Sequence, residues 1–484
     1  MTAGATHIIQ KLNAELTLRH DDNHHEKSEY LKQAILQAVD RVEKRLDQTD
    51  SNSLLKIDSL TVEISLKENE FHRLEDELAN EISEKFDEII PVNNQVSEIP
   101  DKRKKNAGIS IEDTREELIK HFLQTGLLPW WANQNELQQT EQWLKNLTAS
   151  QIMNLFEPTI GRNQIAVHRL ISQWPFDVQE TIVKTLADDQ FGTGSFSIFL
   201  KEIIQFPKRI SFSKEVTKRL QHQILFPVLQ GLLRKSGKKT ITNELFTDIL
   251  QSNFEEKSIK QKLTEWADEF EKRETISFPK KVLSDLIVRD QLSKSEKQSR
   301  QASTSDKKDE MFPADESDSI TVFNAGVVIL QPFLPALFKN LGYTEDGVFT
   351  GSPARERAVC TIHYLATGLA EFPEHQLLIS KFLTGWPFHE PINRFLHFTE
   401  YEIEECESLL GDAISHWRAL KNTSVDGLRK NFLQREGILK HSEFGWSLHI
   451  ERQTHDLLLD QLPWSFSIIK FKWMDEVLSV RWSE

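Results

Sequence analysis

Cysteine is nearly missing from this chain of 484 residues, which holds only Cys360 and Cys406. Two thiols in helix-like sequence exclude a disulfide framework and point to a reducing compartment. Long apolar runs are missing too. No stretch approaches the roughly 18 consecutive apolar residues of a membrane-crossing helix. Met1 to Gln10 carry neither a basic segment nor an apolar run, so no signal peptide is expected and the chain reads as cytoplasmic. Positive charge is in deficit, with 59 Lys and Arg against 74 Asp and Glu and a formal charge of −15. Such a surface repels phosphate, so neither nucleic acid nor an anionic membrane is an expected partner.

Recognisable reaction chemistry is also lacking. There is no Walker loop, no dinucleotide-binding glycine triplet, no His-Glu-x-x-His and no Gly-x-Ser-x-Gly. Gly192-Thr193-Gly194-Ser195 has no lysine and no preceding strand, and reads as a turn. Cys360 and His363 share a helical face without an orienting third group, which favours core packing over a nucleophile. His20, Asp21, Asp22, His24 and His25 are metal-ligand types in a polar gap, but nothing fixes their spacing to a further ligand. The expectation is therefore a protein with no catalytic residue, cofactor or metal.

What is present is amphipathic pattern. Hydrophobic residues make 38% of the chain and charged residues 27%, a globular balance. Two polar stretches, 91–110 and 292–319, have too little apolar surface to offset chain entropy and read as linkers. They leave an N-terminal domain 1–90, a helical middle domain 111–291, and a C-terminal domain 320–484. In the first, Leu31, Ile35, Val39, Val42 and Leu46 recur at helical spacing. Leu60, Val62, Ile64 and Leu66 then alternate as a strand, and Phe71, Leu74, Leu78, Ile82 and Phe86 predict a second helix. A lone strand must find a partner, and the C-terminal sheet is one candidate. The middle is helical, punctuated by Gly126 and Pro129-Trp130-Trp131. Trp174-Pro175-Phe176 and Trp386-Pro387-Phe388 suggest a degenerate helical repeat. The C-terminal domain begins helical over Ala325 to Asn340. Alternation at Trp446–Ile450, Ile469–Trp473 and Leu478–Trp482 predicts a short antiparallel sheet at its end. The fold class is thus mainly α with a small β component (α+β), multi-domain, with a helix-strand-helix N-terminus.

Several segments, in order, resemble one known family. These are His7-Ile8-Ile9, Ile57 to Ile64, and Phe122-Leu123-Gln124-Thr125-Gly126-Leu127-Leu128-Pro129-Trp130-Trp131. Further on come Asn324-Ala325-Gly326, Pro332-Phe333-Leu334-Pro335, and His363-Tyr364-Leu365-Ala366-Thr367-Gly368. The last are His416-Trp417, Asn422-Thr423-Ser424, Gly427-Leu428-Arg429, Phe432-Leu433-Gln434-Arg435 with Gly437, and Leu462-Pro463-Trp464. Together they are similar to the contractile injection system tape measure proteins. The resemblance implies a non-enzymatic assembly component of a phage-tail-like particle that helps set tube length. It also implies partners among the particle's inner tube, baseplate or cargo, and a place in the cytoplasm during assembly and within the particle afterwards. A scaffold, adaptor or cargo-loading factor of the same particle is the alternative. Candidate interaction or corner-packing residues are Trp130, Trp131, Asn422, Thr423, Ser424 and Arg429. The Asn-Thr-Ser run can equally cap the helix beginning near Val425.

Overall fold

The computed structural model describes residues 24–46, 60–64, 66, 72–89, 111–129, 131–132, 136–156, 164–210, 214–251, 257–274, 319–442 and 445–483. Both expected linkers lie outside the described residues apart from Ser319, as do His7 to Ile9, His20 to Asp22 and Trp130. The chain forms two compact units, Met1–Ile119 with Leu128–Leu137, and Lys120–Leu127 with Gln138–Glu484.

In the first unit α1 (His24–Leu46) packs on α2 (Leu74–Ile89). His24 and His25 open α1 rather than lying in a gap before it. The buried line of α1 is Ala34, Ala38 and Val42, with Leu31, Ile35 and Val39 half-buried beside it. Small residues at four-residue spacing let a second helix approach closely, and α2 contributes Leu74 and Ala79. The expected strand at Leu60–Leu66 does not form a ladder among the described residues. Its exposure still alternates, with Leu60, Val62, Ile64 and Leu66 half-covered and Thr61 and Glu63 exposed.

The second unit starts with the end of α3 (Ile111–Thr125), followed by α4 (Glu136–Lys145), α5 (Ala149–Phe156) and α6 (Ile165–Gln173). Then come α7 (Phe176–Phe191), α8 (Ser195–Arg209), α9 (Lys214–Leu233), α10 (Lys238–Gln251) and α11 (Lys257–Glu274). Successive helices pack as neighbours, α7 on α8, α8 on α9 and α9 on α10, as short loops favour. Phe199, Phe206, Phe246, Trp266 and Phe270 form an aromatic nucleus among α8, α10 and α11, with ring centroids 5.5–6.4 Å apart. Gly192 ends α7 and Gly194 precedes α8, so the glycine pair is an interhelical turn.

From residue 319 the architecture becomes α+β. A five-stranded sheet has the order β1 (Ile320–Val322), β4 (Gly437–Ser442), β5 (Gly445–Glu451), β7 (Leu478–Ser483), β6 (Ile468–Ile469). A separate two-stranded ribbon pairs β2 (Thr344–Glu345) with β3 (Val348–Phe349). Its helical cover is α12 (Leu334–Asn340), α13 (Ser352–Thr367), α14 (Leu378–Thr384), α15 (Glu400–His416) and α16 (Val425–Leu428). The sheet differs from expectation in direction and membership. β5 and β7 run parallel, whereas the other three pairings are antiparallel. Parallel neighbours need a long crossover, and 452–477 supplies it. Alternation is the same in either direction, so the sequence pattern could not distinguish them. After Ile469 the chain turns through Phe471 to Met474 instead of continuing as a strand. Ala325–Leu330 is a 3-10 turn that separates from α12, where one helix was expected. All five strands come from residues 320–483, and Leu60–Leu66 is not among them.

Candidate functional site: charged and glycine-lined interior seams

Three helices end on the same local device. α3, α13 and α14 each finish aromatic-Leu-(x)-Thr-Gly, at Phe122–Gly126, Tyr364–Gly368 and Phe382–Gly385. Each threonine hydroxyl donates back to a carbonyl one turn earlier: Thr125 to His121 at 2.8 Å, Thr367 to His363 at 2.9 Å, Thr384 to Ser380 at 2.9 Å. The glycine that follows has φ of 77°, 70° and 67° respectively, the left-handed region that stops a helix. Such ends bring backbone and small residues close to whatever lies beyond.

Beyond Gly126 lies a buried ionic cluster. Glu374 is held at both oxygens by Arg169, whose Nε donates at 2.9 Å and Nη2 at 3.2 Å. Lys381 Nζ donates to the same carboxylate at 2.7 Å. The side chains of all three are at most 2% exposed. Two cations thus face one anion, and backbone carbonyls satisfy the excess. Arg169 also donates to Leu123 O and His389 O, and Lys381 to Phe388 O and Glu390 O. The Glu374 amide itself donates to Gln173 Oε1 at 3.0 Å. A Cβ at Gly126 would meet Glu374 Oε1 at 2.6 Å, so this position needs glycine for space as well as for φ. Burial pushes the Lys381 ammonium down, and Glu374 pulls it back up. The cluster ties α3 and α6 to the segment 374–390.

A second seam joins the start of the C-terminal fold to its helical cover. A Cβ on Gly326 would lie 1.7 Å from Phe432 O, so two backbones are in contact there and no other residue fits. Ala325 N donates to Arg435 O at 2.7 Å, and Gln434 Nε2 to Ala366 O at 3.1 Å. Arg435 grips Asp456, which is fully buried, at 2.9 and 3.0 Å, and Trp482 Nε1 donates to the same carboxylate at 2.9 Å. Tryptophans fasten the remaining loops through their indole N–H groups: Trp417 to Leu458 O, Trp464 to Ile329 O, Trp473 to Leu383 O. These motif segments are therefore interior joints. Their chemistry is positional. Burial drives the Cys360 thiol up and the Cys406 thiol to about 12, away from nucleophile chemistry. Among the described residues no group of three or more His, Cys, Asp or Glu is placed to hold a metal.

The family described as contractile injection system tape measure protein matches residues 6–482. The chain belongs to that family. Comparison with curated proteins and with solved structures returns no match. No helix among the described residues is long and apolar enough to cross a membrane.

Within this tape measure family member each described candidate residue has its own local setting. Trp131 is buried at 7% exposure, in the turn closed by Ala132 N to Pro129 O. Ser424 caps α16, its hydroxyl accepting from Gly427 N at 3.1 Å. Asn422 is exposed, and Thr423 N closes the preceding turn onto Leu420 O. Arg429 is buried, donating to Leu365 O and to Glu407 and lying against Gly368. Trp174 begins a corner that launches α7, while Trp386 turns into an irregular segment, so the two Trp-Pro-Phe corners are built differently. Arg169, Glu374 and Lys381 escaped the sequence reading. The readable signal was the thrice-repeated Thr-Gly ending: Gly126 and Gly368 lie against buried charged side chains, and Gly385 against the Trp473 carbonyl.

Proposed function

We propose that this chain acts without catalysis in building the injection particle, and that its role there is to register tube length. The supporting observation is the extent of the family match, 6–482, which includes the folded second unit as well as the N-terminal helices. Other components of the particle are then its partners. Length registration by a folded body differs from that by a rod. Among the described residues the longest helix, α1, has 23 residues and spans roughly 35 Å at 1.5 Å per residue. Helices this short favour a second reading, a scaffold, adaptor or cargo-loading factor of the same particle.

Electron microscopy of particles separates the two. A strain lacking the chain is compared with one lacking only residues 292–317. Irregular tubes in the first and uniformly shortened tubes in the second support length registration. Failed assembly or empty particles in the first, with unchanged length in the second, transfer the assignment to the adaptor.

A further inference from the structure

The five-stranded sheet has one covered face and one open one. Leu439, Leu448, Ile450, Leu478 and Val480 are buried on the inner side. The outer side is read off the register in two rows. One runs Thr321, Ile438, His449, Arg481, and the next runs Lys440, Ser447, Ser479, Ile468. An open face is ordinary for such a sheet. Its contents are not. Ile438 is 40% exposed and Ile468 70%. Between the rows Ile438, Lys440, Ser447, His449 and Arg481 line a shallow cavity of about 200 Å³.

The charge on this face opposes that of the chain. The protein carries −15, yet the Lys440 and Arg481 side chains meet no carboxylate among the described residues. Neighbouring cations are all engaged. Arg452 bonds Asp460, Lys470 bonds Met474 O, Lys472 bonds Asp346 O, and His441 bonds Glu476. Two carboxylates share the outer side at one end, Glu451 opposite Ser483 and the exposed Glu436 two residues before Ile438, both one row beyond His449 and away from Lys440. The sheet edges are short, three residues in β1 and two in β6, which leaves little for strand addition. A ligand is therefore expected on the face and not at the edge.

We propose that the outer face of this sheet docks an acidic, apolar-centred segment of another protein. Lys440 and Arg481 lie two strands and one row apart, roughly 12 Å. They fit two carboxylates flanking an aliphatic or aromatic side chain that sits in the cavity against Ile438. Two permanent cations on an acidic chain are too few to hold a nucleic-acid backbone. The proposal is independent of whether the chain registers length, because it concerns binding by the isolated protein.

The test uses the full chain and a fluorescein-labelled peptide, Asp-Asp-Leu-Leu-Asp-Asp, with Asn-Asn-Leu-Leu-Asn-Asn as control. Saturable binding is expected for the first, weakened about tenfold in the double variant Lys440→Glu, Arg481→Glu and similarly in the control peptide. Ile438→Ser is expected to weaken it without changing its salt dependence. The substituted side chains are exposed or line the open cavity, so melting curves are expected to stay superimposable. Absent binding, or equal binding to the double variant or to the amide peptide, overturns the proposal. So does preferential binding of a single-stranded oligonucleotide. Binding that emerges only after deletion of residues 292–317 assigns the face to the chain's own polar linker. A dimer in sedimentation that the double variant dissolves assigns it to a second copy, and either result also overturns the proposal.

Discussion

Arginine meets carboxylate in both units, with opposite consequences. In the first unit Arg41 bridges α1 to α2 through Glu75 at 3.0 Å and Asp76 at 2.7 Å, with side-chain exposures of 54%, 31% and 66%. In the second, Arg169, Glu374 and Lys381 form comparable bonds with water shut out. Distances are alike, but the surroundings differ. An exposed pair exchanges one solvation for another and gains little, whereas a buried set must be complete because each member has lost its water. The lesson is that the interior cluster specifies how α3, α6 and the segment 374–390 fit together, while the exterior pair trims an interface already made by Ala34, Ala38 and Ala79.

Glu374→Gln breaks the comparison most severely. It leaves two buried cations facing an amide, and a loss of about 3–5 kcal/mol in urea unfolding is expected. Replacing all three together, as Arg169→Met, Glu374→Leu and Lys381→Met, is expected to recover part of that loss, because no uncompensated charge remains while the carbonyls of Leu123, His389, Phe388 and Glu390 lose these donors. If Glu374→Gln unfolds with the parent, the cluster is decorative and the seam is held by packing alone.

The same dryness gives the second unit a pH dependence. Burial holds His168, His222 and His363 at about 4 and His375 at about 3, all below the ordinary 6.5. His168 and His222 stack with Phe226 between α6 and α9, and His375 has no hydrogen-bond partner at either ring nitrogen among the described residues. The unfolded chain takes up these protons near pH 6.5 and the folded chain only near 4 or 3. Between those limits the unfolded state binds more protons, so stability falls as pH falls. Above about pH 6.5 this contribution is flat. Urea midpoints measured from pH 7 to pH 4 are expected to decline, and His375→Leu is expected to make the decline shallower. An unchanged slope in that variant would remove His375 from the account.

Much of the helical architecture could be read from apolar spacing, because helix faces repeat locally. α1 and α2 lie near where Leu31–Leu46 and Phe71–Phe86 put them, the middle is helical as expected, and α3 stops at Gly126. The sheet was half legible. Alternation at Trp446–Ile450 and Leu478–Trp482 marked β5 and β7, but not their parallel pairing or the partners β1 and β4. Ile320–Val322 is too short for periodicity, and Gly437–Ser442 mixes glycine, lysine and histidine. The candidate site was the least legible. Arg169, Glu374 and Lys381 are scattered over more than two hundred positions, and no local pattern separates a charge that will be buried from one that will be solvated. Trp131 and Arg429 were singled out for their types, and burial then gave Arg429 a joint between Leu365 and Glu407.

Arg41→Ala probes the weak end of the comparison and has the smallest expected effect. The substitution removes two bonds, but the Glu75 and Asp76 carboxylates regain water, and α1 still presents Ala34, Ala38 and Val42 to its core. Hydrogen bonding to Asp76 raises the Arg41 pKa, yet an arginine is charged at any working pH, so the shift does not enter the balance at neutrality. The melting curve of the variant is expected to overlay the parent in 0.5 M salt and to differ from it only slightly at low salt, where exposed pairs are least screened. A loss that persists at high salt would mean that Arg41 contributes through its aliphatic stem packed across α2 rather than through its charge. The line between exterior trimming and interior specification would then have to be drawn by buried stem rather than by buried charge.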